Sequence, residues 1–139
     1  MPVDVSILGT GTGVLITGHG VLTSGDLTEA FAGLASATGR IQRCRYFLFD
    51  TEAVTSVKLS VADLQAIAAQ NHELARSLPP GLTIAVVTPQ DAAHGLALMW
   101  EGFVQTTRCQ TMVFRSRTTA EKWLQSKVAS PPNSAAHFL

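Results

Sequence analysis

The sequence is poor in charge, and this scarcity excludes several classes of partner. Only 14% of its 139 residues are charged, and the basic and acidic side chains cancel to a formal net charge of zero. A protein without a basic excess has no electrostatic field that attracts nucleic acid. It also has no polybasic stretch that would hold it to anionic lipids. We therefore expect no nucleic-acid partner.

The same scarcity bears on assembly. Soluble domains usually carry roughly 25% charged residues, so this chain is short of the side chains that normally solvate a surface. The deficit predicts that another copy or a partner covers part of the surface, and we expect a homodimer. The alternative is an alanine- and glycine-rich chain whose surface is solvated by neutral polar residues.

Cysteine is also scarce, and the leading segment lacks the features of a targeting peptide. Cys44 and Cys109 show neither CxxC spacing nor the pattern of a disulfide-rich scaffold, so we interpret them as reduced thiols of a reducing compartment. No Lys or Arg precedes Arg40, and glycines interrupt the apolar stretches before it. This pattern is typical of neither a signal peptide nor a membrane span. We expect a cytoplasmic protein without stable membrane insertion.

The glycine-rich stretch 9–13 separates two short β-branched runs. Val3–Leu8 precedes it and Val14–Thr17 follows it, and two such runs across a glycine-containing loop predict a hairpin. A phosphate-binding glycine loop would need a helix directly after it, whereas a strand-like run follows here. A further extended piece is predicted at Val21–Thr23, after the break Gly18-His19-Gly20.

Beyond the hairpin, apolar strands alternate with helical patterns. Strands are predicted at Tyr46–Phe49, Leu82–Val87 and Thr111–Phe114. Helices are predicted to begin at Ser24 or Asp26, at Ser60, at Asp91 and at Thr118. Strands that alternate with helices imply parallel pairing and right-handed crossovers. The sequence therefore predicts an α/β fold: a five-stranded, mixed, mostly parallel sheet with an N-terminal antiparallel hairpin and four helices.

Three local expectations complete the predicted architecture. Thr51–Leu59 is predicted to be a loop that contains a second short apolar patch. Gly95 and Gly102 lie inside the third helix at a cost of about 1 kcal/mol each relative to alanine, which predicts close approach of a neighbouring backbone. Residues 1–129 are predicted to form one domain, and the polar residues 130–139 a flexible tail.

Several strand and helix segments match the pattern of a known bacterial fold. The first is Tyr46-Phe47-Leu48-Phe49-Asp50 with the loop and helix after it. The others are Ile84-Ala85-Val86-Val87-Thr88-Pro89, Gly95–Glu101, Val113-Phe114-Arg115-Ser116 and Ala120–Leu124. The first resembles the STAS domain of anti-sigma-factor antagonists, and the others are similar to small bacterial SpoIIAA-like proteins. The resemblance covers roughly residues 3–128. It implies a non-enzymatic binding or regulatory module whose architecture is related to CRAL-TRIO lipid-binding domains.

The sequence departs from the family at the phospho-acceptor. A phosphorylatable STAS domain places an Asp-Ser pair at the start of the helix after the central strand. The corresponding stretch here is Thr55-Ser56-Val57-Lys58-Leu59-Ser60, and neither serine matches that motif. A serine at a helix start is commonly an N-cap, so we expect no phosphorylation switch of the usual kind.

The candidate binding site lies at the carboxyl ends of the predicted strands, where open α/β sheets bind their ligands. The polar residues expected at that edge are Asp50, Thr51, Ser56, Ser60, Thr88, Asp91 and His94. The N-termini of the second and third helices would favour an anion or another polar group there. The leading hypothesis is a module that binds a protein partner or a small ligand, without a cofactor.

Two other functions remain open. The CRAL-TRIO likeness implies a carrier of a small apolar or lipid-like ligand, which would require an apolar pocket lined by Leu96, Met99, Trp100 and Phe103. A weak hydrolase would use Ser56, His94 and Asp50, although no Gly-x-Ser-x-Gly elbow supports it.

Metal binding and a basic binding patch are not expected. Asp91 and His94 would supply two metal ligands at the start of a helix, but the sequence offers no third. Arg115 and Arg117, which follow the last predicted strand, are interpreted as part of a solvated surface.

Overall fold

The computed structural model describes residues 2–105 and 109–128 of the chain. Across these ranges it contains a sheet of five strands, four α-helices and one short 3-10 helix. The strands are β1 (Val3–Leu8), β2 (Gly13–Thr23), β3 (Tyr46–Lys58), β4 (Leu82–Val87) and β5 (Cys109–Phe114). The helices are α1 (Ser24–Ser36), the 3-10 helix (Thr38–Ile41), α2 (Val61–Arg76), α3 (Asp91–Phe103) and α4 (Arg117–Val128). The tail predicted at 130–139 lies outside the described residues.

The sheet has the predicted mixed topology, with the strands in chain order from β1 to β5. β1 is antiparallel to β2, and the later neighbours are parallel. The turn between β1 and β2 depends on Gly11, which has a φ of +93°, and a Cβ there would clash with the carbonyl oxygen of Arg40. The mixed α/β fold expected from the sequence is therefore confirmed.

The helices cover the two faces of the sheet unequally. Adjacent residues of a strand point to opposite faces, and β3 illustrates this division. Phe47 belongs to the apolar core that α1 and α2 share with the sheet. Its neighbour Leu48 packs in a second core with Ala120 and Leu124 of α4. The first three helices therefore lie over one face, and α4 covers part of the other.

The prediction of a loop at Thr51–Leu59 is wrong, because β3 continues to Lys58. β2 also runs unbroken through the glycines that were expected to interrupt it, and register shifts at those glycines absorb the irregularity. β4 ends opposite Asp50, where Val87 is its last paired residue. His19–Thr23 and Ala53–Lys58 therefore project past the sheet as two paired strands, hereafter the β2–β3 ribbon.

Two helices begin at residues other than those predicted. The N-cap of α1 is Thr23, whose hydroxyl oxygen accepts a hydrogen bond from the Asp26 amide while the Asp26 carboxylate accepts one from the Thr23 amide. At α4, the hydroxyl of Ser116 accepts a hydrogen bond from the Thr119 amide at 3.3 Å. Both caps lie before the predicted positions: β2 runs directly into α1, and two residues separate β5 from α4.

The two glycines of α3 do not allow close packing within the described part of the chain. A Cβ built on Gly95 or Gly102 would have no heavy atom within 4 Å, so the expected backbone approach is wrong. Leu98 and Met99 are 50% and 40% exposed. At helical spacing these residues share one side with Ala92. We call this uncharged surface of Ala92, Gly95, Leu98, Met99 and Gly102 the α3 outer face.

Candidate functional site at the carboxyl ends of the strands

The structure brings five of the seven candidate residues to one edge and separates the other two from them. Asp50 and Thr51 lie in β3, Thr88 follows β4, and Asp91 and His94 lie in the first turn of α3. Ser56 lies six residues past Asp50 along β3. A strand rises about 3.3 Å per residue, which puts Ser56 roughly 20 Å away. Ser60, beyond the ribbon, is the N-cap of α2.

Asp50 belongs to a charged network that joins β3 to α4. Its Oδ1 accepts a hydrogen bond from the Glu52 amide at 2.8 Å, and its Oδ2 lies 3.3 Å from Nη1 of Arg117. Arg117 also donates from Nε to Glu121 at 3.0 Å. Burial opposes the positive charge of Arg117, but its hydrogen bond and attraction to Glu121, with the nearby Asp50 carboxylate, outweigh burial and raise its pKa. Asp50 therefore has a structural role.

The two threonines of the site are buried and already hydrogen-bonded. Thr51 donates from Oγ1 to the carbonyl oxygen of Val87 at 2.6 Å. Oγ1 of Thr88 lies 3.0 Å from Nδ1 of His94. These contacts link β3 to β4 and the end of β4 to the first turn of α3.

The proposed hydrolase residues do not come together. Asp50 points to the face that α4 covers, where it contacts Arg117, whereas His94 belongs to α3 on the other face. Ser56 is carried away from both on the ribbon. The structure therefore offers no Ser-His-Asp arrangement from these three residues.

Asp91 forms an exposed ion pair with Arg115, which also donates a hydrogen bond to the carbonyl oxygen of Pro89 at 3.3 Å. The hydrogen bond from Arg115 and its charge lower the pKa of the Asp91 carboxyl. Within residues 2–105 and 109–128, no three His, Cys, Asp or Glu side chains cluster in a way that would hold a metal ion. In the same ranges, no helix combines the length and apolarity needed to span a bilayer.

Ser60 is the N-cap of α2, as the sequence predicted. Its hydroxyl oxygen accepts a hydrogen bond from the Asp63 amide at 3.1 Å, and the Asp63 carboxylate accepts one from the Ser60 amide at 2.9 Å. This reciprocal pair satisfies two amides at the start of the helix. The Ser60 hydroxyl is thus engaged in holding α2.

The ribbon presents a strand edge at this end of the molecule that the sequence did not predict. Among the described residues, β3 has no strand partner on its β4 side after Asp50. The side chain of Gln90 covers part of that edge, since its amide donates to the carbonyl oxygen of Val54 at 3.3 Å. Glu52, Thr55 and Lys58 are exposed along it.

Two apolar cavities lie between the sheet and the layer formed by α1, α2 and α3. Their volumes are about 50 Å³ and about 80 Å³. Leu96 and Trp100, two of the four residues predicted to line an apolar pocket, line the larger cavity. Met99 is exposed instead. Two of the four residues that the sequence predicted to line an apolar pocket therefore do so.

Arg115, Arg117 and Gln90 are the residues of this region that sequence analysis missed. The two arginines were interpreted as solvated, but both form ion pairs with candidate residues. Their position was the available signal: they directly follow β5, and the carboxyl ends of parallel strands meet at one edge. No sequence pattern indicated a partner for Gln90, because it bonds to the backbone carbonyl of Val54 and not to a particular type of side chain.

No family model and no curated protein matches this chain. Solved structures do match its fold. The anti-sigma factor antagonist SpoIIAA in its unphosphorylated form is 10% identical, with a TM-score of 0.54 over 88% of this chain and 97% of that chain. SpoIIAA of Bacillus in its phosphorylated form is 10% identical, with a TM-score of 0.51 over 88% and 98%.

An uncharacterized protein of Shewanella loihica PV-4, from the DUF3478 family, is also similar. It is 16% identical, with a TM-score of 0.51 over 88% of this chain and 91% of that chain. It is described as having a SpoIIAA-like fold. At these identities the likeness establishes the fold alone, and the relation to CRAL-TRIO domains stays a prediction. The chain has the SpoIIAA-like, STAS-type α/β fold that its sequence segments resemble.

Proposed function

We propose that this chain is a non-enzymatic regulatory module that binds a protein partner through the β2–β3 ribbon. The observation that carries the proposal is the edge of β3 after Asp50, where β4 has ended. An unpaired strand edge offers backbone donors and acceptors to an extended segment of another chain. Addition of such a strand is a recurrent mode of peptide recognition, in which the backbone supplies affinity and the side chains supply specificity.

Side chains elsewhere on the ribbon and at the start of α2 suit a protein contact. Val21, on β2, and Val61, the first residue of α2, are 44% and 50% exposed. Glu52 and Lys58 add one charge of each sign along β3. Apolar anchors surrounded by polar groups are typical of protein interfaces. A partner segment with alternating apolar and polar residues fits this chemistry.

The fold supports a regulatory role without specifying its details. The similar protein SpoIIAA is an anti-sigma factor antagonist, and it is known in phosphorylated and unphosphorylated forms. In this chain the hydroxyl of Ser60 belongs to a capping box, and Ser56 is half-buried in β3. We infer that binding here proceeds without a phosphoserine switch.

Site-specific photocrosslinking tests this proposal in cells that naturally express the protein. A photoreactive residue is placed at Thr55, which is exposed on the ribbon, or at Gln125, which is exposed on α4. The proposal predicts a discrete crosslinked species from position 55 that is absent from position 125. Failure to obtain such a species at position 55, or the same species at both positions, would refute it.

We also propose that two copies associate through the α3 outer face. Both glycines there have open space beside them, and Leu98 and Met99 are substantially exposed. The five residues of this face are uncharged, and Asp91 at its N-terminal end is paired with Arg115. Two copies can therefore meet there with little like-charge repulsion, and small residues let two helices approach closely. The chain's low charge content supports the same contact.

A further inference from the structure

The two apolar cavities lie side by side and share part of their walls. Phe31 of α1, Phe49 of β3, Val86 of β4 and Trp100 of α3 line both of them. These four side chains therefore form the partition between a smaller cavity of about 50 Å³ and a larger one of about 80 Å³. The two spaces can join only if one of these four side chains moves.

We propose that the two cavities form one binding site for a compact apolar molecule about the size of a single aromatic ring. An apolar cavity of about 150 Å³ in another protein stays dry and binds benzene or xenon. The volume of each cavity here is smaller than that value, whereas the combined volume of the two cavities approaches it. The proposed protein contact uses the backbone edge of β3, whereas the ribbon contributes the side chains of Leu22 and Val57 to the larger cavity, so benzene titration and crosslinking test the two proposals separately.

The chemistry of the larger cavity restricts the ligand to apolar molecules. Its polar lining consists of Thr51 and Thr88. Thr51 already donates to the carbonyl oxygen of Val87, and Thr88 is hydrogen-bonded to His94. A polar ligand would lose its hydrogen bonds to water on entering such a space without gaining equivalent ones. An apolar ligand has no such penalty.

The smaller cavity has the same character. Asn71, His72 and Thr111 contribute polar atoms to its wall. Asn71 accepts a hydrogen bond from the indole of Trp100, and Thr111 donates one to Glu101 at 2.9 Å. Nε2 of His72 lies 3.4 Å from the carbonyl oxygen that ends α3. One polar atom of each of these side chains is therefore already engaged, and the wall of the cavity is mainly apolar.

Trp100 sets the boundary between the two cavities. Its Nε1 donates to Oδ1 of Asn71 at 2.8 Å, which ties α3 to α2 and fixes the plane of the indole. Phe49 lines both cavities from the sheet side. A ligand that occupies the joined space displaces one of these two rings, so binding changes the surroundings of Trp100 directly.

Benzene is a suitable probe, because its ring current shifts the NMR signals of any methyl group that it contacts. We expect saturable shifts at Ile67 and Ala97, which line the larger cavity. The methyl groups of Ala120 and Leu124, in the core on the opposite face, serve as the internal reference and should not move. Absence of shifts up to the solubility limit of benzene, or equal shifts on both faces, would overturn the proposal.

A pair of matched variants locates the site. Ala97→Leu fills the larger cavity from α3, whereas Ala66→Leu adds the same side chain at an exposed position of α2. We expect Ala97→Leu to weaken benzene binding by at least about tenfold and Ala66→Leu to leave it within about twofold of the unmodified protein. Ala93→Leu, which fills the same cavity, replaces Ala97→Leu if that variant does not fold. Unchanged affinity in a folded cavity-filling variant would refute the site.

Discussion

Nη1 of Arg117 lies 3.3 Å from Oδ2 of Asp50, so the first residue of α4 is tied to the residue at which β3 leaves the sheet. The Asp50 side chain is 10% exposed and that of Arg117 is 31% exposed. Asp50, which sequence analysis placed in the binding site, therefore links the start of the β2–β3 ribbon to α4.

Asp50→Asn should lower the free energy of unfolding by about 2 kcal/mol, because hydrogen bonds to charged groups contribute about 1.5–3 kcal/mol when partly buried. Glu121→Gln removes the other carboxylate beside Arg117 and should cost less than about 1 kcal/mol, because Glu121 is 25% exposed, against 10% for Asp50, and water screens its charge more strongly. Urea denaturation measures both values. Equal costs would contradict the structural role of Asp50.

Ser60→Ala should cost about 1 kcal/mol of stability through the lost N-cap. Ser77→Ala, at the exposed C-terminal end of the same helix, is the matched control and should change stability by less than about 0.5 kcal/mol. The crosslink expected at position 55 should persist in Ser60→Ala. Phosphopeptide mapping of protein from its native cells is the decisive check, since substantial phosphate on Ser56 or Ser60 would restore a phosphorylation switch.

Stability should fall in alkaline solution because of Cys44. Burial raises the pKa of this thiol from 9.0 to about 12, although a hydrogen bond with the backbone of Tyr46 acts in the opposite direction. The neutral form of the Cys44 thiol therefore contributes its full stabilisation below pH 9. The free energy of unfolding falls as the pH rises from 9 toward 12. The expected slope is about 1 kcal/mol per pH unit. Cys44→Ala should have a flatter profile in urea denaturation between pH 9 and 11, and parallel profiles would disprove this.

The α3 outer face predicts a dimer in solution. Light scattering at high micromolar concentration should give twice the chain mass of 14.7 kDa. Met99→Glu should dissociate the dimer, because it places a charge in an uncharged contact. Met112→Glu is the control, since Met112 is 43% exposed on β5 and should leave the dimer intact. A monomeric unmodified protein would rule out this assembly.

The sequence predicted the mixed, mostly parallel sheet of five strands and the four helices but misjudged the length of β3. Tyr46–Phe49 forms a continuous apolar run because both faces of the sheet are covered there. Past Asp50 the strand is half-exposed, and it keeps only Val54 fully buried among the ribbon residues. Its partner contains Gly18 and Gly20, which are typical of turns but here accommodate register shifts. Local patterns could not distinguish such a ribbon from a loop.

Sequence positions predicted that seven polar residues share one edge; five of them do, and their role in binding stays a prediction. Asp50, Thr88 and His94 do lie near the carboxyl ends of the strands. Their partners were not predicted, because pairing between Asp50 and Arg117 joins residues 67 positions apart. Whether a polar residue is engaged or available depends on such distant contacts, and spacing in one sequence does not reveal them.

Amide hydrogen exchange of the protein isolated together with its natural partner tests the central claim most directly. The free protein provides the reference, and α4 provides an internal control. Strand addition along β3 predicts that the complex slows exchange at amides within Ala53–Lys58, which lie past the last pair with β4. Exchange in α4 after Arg117, whose own amide donates to Glu52, should be unchanged. A complex that protects other surfaces and leaves Ala53–Lys58 exchanging as in the free protein would contradict the account.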